Sequence, residues 1–131
     1  MEVHYLTLAH VLEIHRSALA EFGGLDGVRS FDQLSAAVAQ PQQSAFGQDA
    51  YATVPEKAAA YGYFLAEAQA FLDGNKRTAA NAFETFLILN GFEFVETDDE
   101  IAKMFEALGS HVIGQGEFFA WIVDHARPSD S

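Results

Sequence analysis

The chain contains no cysteine. Disulfide frameworks, thiolate nucleophiles and zinc–thiolate sites are therefore excluded, and a reducing compartment is the natural setting. Cations are scarce too, with seven Lys and Arg against nineteen Asp and Glu and a formal charge of −12 at pH 7. Both nucleic acid and anionic membrane call for a basic surface, so neither is expected as a partner. No apolar run reaches the ~18 residues that a bilayer crossing needs. The opening MEVHYLTLAHVLEIH carries Glu2, His4, Glu13 and His15 where a secretory leader has a cationic start and an unbroken apolar stretch. A soluble, cytoplasmic protein is expected. Internal repeats, coiled-coil heptads and low-complexity segments are absent as well.

Half of the 131 residues are apolar, enough for one sizeable core, and a single domain over 1–131 is expected. Apolar residues from Leu8 to Phe22 recur at helical spacing behind Thr7 and stop at Gly23-Gly24, which predicts a first helix. Ser30 is placed to cap a second, FDQLSAAVAQ, ended by Pro41. PQQSAFGQDAYATV has no helical stripe and reads as an exposed loop or short hairpin. Pro55 suits the first turn of a third helix. A fourth begins near Asn75, buries Ala79, Ala82, Phe83, Phe86 and Leu87 with Leu89 at its end, and closes at Asn90-Gly91. FEFVE alternates as a short extended piece, DDEIAKMFEALG and QGEFFAWIVDHA give the fifth and sixth helices, and residues from about 127 to 131 read as a frayed end. The aromatic clusters YGYFL and FFAWI read as core. The fold class that follows is all-α, about six helices with a short flap loop or hairpin.

Between the third and fourth helices stands QAFLDGNKRT, Gln69 to Thr78, where two of the seven cations sit side by side. The first N–H groups of a helix starting at Asn75 lack internal partners and favour an anion. Gly74 lets a ligand approach the backbone, so Gly74, Asn75 and Lys76 suit a phosphate cradle, and Arg77 offers two phosphate oxygens a planar fork. A carboxylate among phosphate donors needs a bridging cation, and Mg²⁺ commonly binds one carboxylate plus phosphates, which makes Asp73 a metal-ligand candidate. The same residues also suit a ligand-free helix connection, with Asp73 as cap, Gly74 easing the turn and Asn75 closing an Asx turn.

The stretch resembles the motif H-x-F-x-D/E-G-N-K-R-T of the Fic/Doc family in its death-on-curing branch. Phe71, Asp73, Gly74, Asn75, Lys76, Arg77 and Thr78 match, and the resemblance extends to HVLEIHRSALAEFGGLDGVRS and TAANAFETFLILNGFEF, nearly the whole chain. It implies a compact Fic fold and transfer of part of a nucleoside triphosphate, ATP or another NTP, with Mg²⁺, to a hydroxyl of a target protein. Carried over, Asp73 holds Mg²⁺, Gly74 and Asn75 form the anion cradle, Lys76 and Arg77 bind phosphates, and a buried Phe71 anchors the loop. The region Gln40 to Val54 matches the flap that aligns the target. Lys76 stands where nucleotidyl-transferring members have glycine, Ala80 replaces their second arginine, and Asn81 follows as in Doc-like chains. These departures favour phosphoryl over nucleotidyl transfer, with a translation factor as the implied target. No inhibitory S/T-x-x-x-E-G/N motif is present, so a separate antitoxin chain is the implied partner.

Gln69 occupies the position of the family's catalytic histidine, the base that takes the hydroxyl proton. An amide can hydrogen-bond a hydroxyl but has no useful basicity. Losing a general base typically costs about 10²–10⁴ in rate, so an impaired transferase is expected, with a non-catalytic Fic-fold protein that binds nucleotide or antitoxin as the alternative. Glu67 is given little weight as a substitute base, because on a helix it faces away from Gln69. His4, His10, His15, His111 and His125 are distant in sequence, and His15 and His111 read as core or surface residues.

Overall fold

Thr7 opens the first helix. In the computed structural model, which describes residues 2–130, its hydroxyl accepts from the His10 amide while the His10 ring accepts from the Thr7 amide, a reciprocal cap that starts α1 (Leu8–Phe22). Ser30 caps α2 (Phe31–Ala39) in the expected way. The chain does not stop at Pro41, however. A 3₁₀ turn, Gln40–Gln42, follows directly with Pro41 buried in it, since a first-turn position needs no N–H. The next segment forms a hairpin of β1 (Ser44–Ala45) and β2 (Gln48–Asp49), whose turn residues Phe46 and Gly47 both have positive φ. Phe46 is fully exposed at its tip.

Thr53 caps α3 (Val54–Ala68), with Pro55 in its first turn. After the motif loop come α4 (Asn75–Leu89), β3 (Phe92–Phe94), α5 (Asp98–Gly109) capped by Thr97, α6 (Gln115–His125) and β4 (Ala126–Pro128). The last strand corrects the frayed end expected from 127. Arg127 and Pro128 pair with Glu93 and Phe92, and the Ser129 amide donates to the Gly91 carbonyl at 2.8 Å. A lone extended β3 would leave its backbone polar groups unpaired, and the tail supplies their partners. Ser131 lies outside the described residues. Among the described residues, six helices and two small two-stranded sheets give the mostly helical architecture that the sequence implies.

The core lies between α3 and α4, with α1, α2 and α6 packed around them. Ala58, Ala59, Ala60 and Tyr61 on α3 and Ala79, Ala82, Phe83 and Phe86 on α4 are all fully buried. Small alanines let these two helices approach closely, while the phenylalanines fill the volume beside them. Leu89 is 48% exposed and does not join this core, because the buried stripe of α4 ends at Leu87. Both aromatic clusters pack as expected, Phe118 lying edge-on to Phe105 with centroids 5.1 Å apart. The close α3–α4 contact fixes where the loop joining them emerges.

Candidate functional site

Gln69 ends α3 in the left-handed region, at φ 45 and ψ 46. The chain thereby leaves the helix and runs extended against the loop between α1 and α2. Ala70 accepts at its carbonyl from the amides of Arg29 (2.6 Å) and Ser30 (3.1 Å), Leu72 donates to the Gly27 carbonyl (3.0 Å), and Val28 and Phe71 form a bridge. Gly27 is required at this approach. Its φ is 143, and a Cβ there would stand 2.8 Å from a Leu72 methyl carbon.

Beneath the motif the His15 ring stacks on Phe71, centroids 3.7 Å apart and planes 7° from parallel. Its Nε2 donates to the Asp73 carbonyl at 2.8 Å. Both rings are almost wholly buried, which matches the anchoring role expected of Phe71. The Asn75 side chain closes the loop, accepting at Oδ1 from the Phe71 amide (3.0 Å) and donating from Nδ2 to the Phe71 carbonyl (2.9 Å). Asp73 does not cap α4; its Oδ2 accepts from the Leu25 amide at 2.7 Å. Gly74 is the N-cap at φ 81, with no side chain on the first amides of α4. A loop tied down on three sides thus presents an open helix N-terminus.

That terminus faces a cavity of 480 Å³ lined by Glu67, Gln69, Asp73, Gly74, Asn75, Lys76, Arg77 and His111, with Phe105, Leu108 and Gly109 of α5 beside them. Six of the seven residues singled out from the sequence therefore meet in one place. Lys76 pairs with Glu106 of α5 at 3.0 Å in an exposed ion pair, and the Arg77 guanidinium lies 3.8 Å above the Phe22 ring. Both cations also border a second cavity of 420 Å³. Asn81 lines that second cavity and not the first. There Glu84 has its pKa raised, first by burial and then by the nearby Asp98 charge.

The residues suit a phosphate chain with Mg²⁺ better than a metal alone. Among the described residues no group of three or more His, Asp or Glu could hold an ion, and Asp73 contributes one carboxylate with Oδ1 unbonded. One carboxylate beside phosphate donors is a common Mg²⁺ arrangement. Two sequence readings change. Glu67, expected to face away from Gln69, lines the same cavity, because Gln69 is no longer helical. His15 is a core histidine as expected, yet it supports the motif directly, a contact across 58 residues that no local pattern reveals.

No helix among the described residues is long and apolar enough to cross a membrane. A protein-family model described as Fic/DOC family matches residues 5–87. A curated relative, Toxin Doc of Mycolicibacterium smegmatis, is 47% identical over 78 residues, a match that covers 60% of this chain and 60% of the relative's length. The family match takes in α1 to α3, the whole motif loop and α4 as far as Leu87, and the chain belongs to the Fic/DOC family.

Proposed function

We propose that this protein is a Doc-like transferase that moves the terminal phosphoryl group of an NTP such as ATP to a hydroxyl of a target protein, a translation factor being the target class. The observation that carries the reading is the convergence of Asp73, Gly74, Lys76 and Arg77 on one cavity at the open N-terminus of α4. Backbone N–H groups there fix phosphate oxygens while Lys76 and Arg77 offset the charge that builds up on them in the transition state. In this reading Asp73 holds Mg²⁺, which when bound would neutralise phosphate charge. Lys76 and Ala80, standing where nucleotidyl-transferring members have glycine and arginine, favour phosphoryl transfer. The antitoxin of such a system, a separate chain, is the proposed regulatory partner, and the cytoplasm the proposed compartment.

Gln69 supports a second reading, a non-catalytic member that binds nucleotide or antitoxin, since its amide orients a hydroxyl without accepting the proton. Label transfer to lysate proteins from ATP labelled at the α or γ phosphate, by the wild type and Gln69→His, separates the possibilities. Transfer of γ label that rises about 10²-fold or more with the histidine restored supports the kinase reading. Transfer of α label indicates nucleotidyl transfer, and none from either protein leaves the binding role.

A further inference from the structure

We propose that His111, on the turn after α5, accepts the proton of the target hydroxyl in place of the histidine that Gln69 replaces. The inference rests on the transferase reading above. His111 is the histidine among the lining residues of the motif cavity. The end of α5 abuts the phosphate-binding cations: a Cβ built on Gly109 would lie 3.3 Å from Lys76 Nζ, and His111 follows two residues later.

Three of the other imidazoles are engaged, and the exposed His4 does not line this cavity. His15 donates to Asp73 and stacks on Phe71, His10 accepts from Thr7, and His125 meets the Trp121 carbonyl. The His111 ring is exposed and, among the described residues, has no hydrogen-bond partner. Its backbone is also informative. His111 sits at φ 62, its N–H donating a hydrogen bond to the Leu108 carbonyl at 3.1 Å, in a conformation that glycine adopts without steric cost. Gln69 is likewise left-handed at φ 45. Gln69, the C-cap of α3, and His111, one residue past the Ser110 C-cap of α5, are thus left-handed non-glycine residues that line one cavity, and at His111 the conformation belongs to a helix-ending turn in which Val112 donates to the Ala107 carbonyl at 2.9 Å.

The proposed step balances without a further reactant. The target hydroxyl oxygen bonds to the γ-phosphorus, the bond from that phosphorus to the bridging oxygen breaks, and the nucleoside diphosphate leaves with the electron pair. The hydroxyl proton passes to the free ring nitrogen of His111 and then to water. Imidazole is a competent base near neutral pH, which the Gln69 amide is not.

The test compares γ-label transfer, ATP affinity and melting temperature for the wild type, His111→Gly, Glu67→Gln, Gln69→His and Gln69→His/His111→Gly. A purely structural His111 would make the glycine variant as stable or more so with transfer intact, and that result overturns the proposal. The expected result is a loss of about 10²-fold in transfer, with ATP affinity and melting temperature retained, partial rescue of His111→Gly by added imidazole, and little effect of His111→Gly once Gln69→His is present. Transfer by Gln69→His with none by the wild type overturns the role of His111 and leaves the transferase reading standing. Loss of transfer in Glu67→Gln alone assigns the proton to Glu67 and also overturns the proposal. No transfer by any of the proteins overturns both.

Discussion

Asn75→Ala should destabilise the whole domain, although Asn75 lies at the edge of a cavity. Its side chain makes two bonds to Phe71, at 3.0 Å and 2.9 Å, and the alanine loses both. Each is worth about 1 kcal/mol net, and a buried amide left without a partner costs about 1–3 kcal/mol. Phe71 is 2% exposed, so water does not readily replace the lost acceptor. The better helix propensity of alanine returns a few tenths of a kcal/mol, roughly. A net loss of about 2–4 kcal/mol is expected. Unfolding entropy is about 2.1 cal/mol/K per residue. For 131 residues that is about 0.27 kcal/mol/K, so the melting temperature should fall by about 7–15 °C. Asn75→Asp keeps the acceptor for the Phe71 amide and should lose roughly half as much. Thermal unfolding followed by circular dichroism, beside ATP affinity by calorimetry, separates a loop staple from a ligand. A melting temperature within about 2 °C of wild type together with weakened ATP binding would refute the staple and make Asn75 a direct phosphate contact.

Lys57 is 1% exposed and bonds Asp49 at 3.0 Å and the Tyr51 carbonyl, tying the β1–β2 hairpin to α3. In Lys57→Met, exchange of the Ala50 amide, which donates to Gln43 at 2.8 Å, should accelerate at least about tenfold, the equivalent of ~1.4 kcal/mol, while core amides of α4 stay protected; an unchanged Ala50 rate would show that the hairpin holds without the lysine. Glu84 gives a pH dependence. Its folded pKa is raised above the ordinary glutamate value by burial and then by Asp98, so the folded state binds its proton more tightly than the unfolded state. Its contribution is present below the unfolded pKa and lost as pH rises through the folded one. Glu84→Gln should therefore raise the melting temperature at pH 7 and change it little near pH 4, and equal effects at both pH values would contradict the shift.

The helices were legible because their periodicity and caps are local: Thr7, Ser30 and Pro55 each act within one turn of where they stand. The motif was legible for the same reason, since residues 69–78 form one loop and one helix start. What escaped the sequence depends on long-range pairing. Nothing near Leu25 or Gly27 shows that the loop they sit on will bind the backbone at Leu72 and Asp73, and nothing near His15 shows that it will stack under Phe71. The pairing of Arg127 with Glu93 likewise joins residues 34 positions apart. Glu67 was misplaced for a different reason. Extending helical geometry through Gln69 puts the two side chains on opposite faces, and a single left-handed residue brings both into the cavity. Nothing in the three alanines that follow Lys57 shows that it will be buried under the hairpin.

Calorimetric ATP binding with and without Mg²⁺, on the wild type, Asp73→Ala and Arg77→Ala, tests most directly whether the loop before α4 is a nucleotide phosphate site. Each substitution removes charge-assisted contacts worth about 1.5–3 kcal/mol, so affinity should fall roughly 10- to 100-fold in each, with the Mg²⁺ dependence lost in Asp73→Ala. ATP affinity left unchanged by both substitutions would contradict the site assignment.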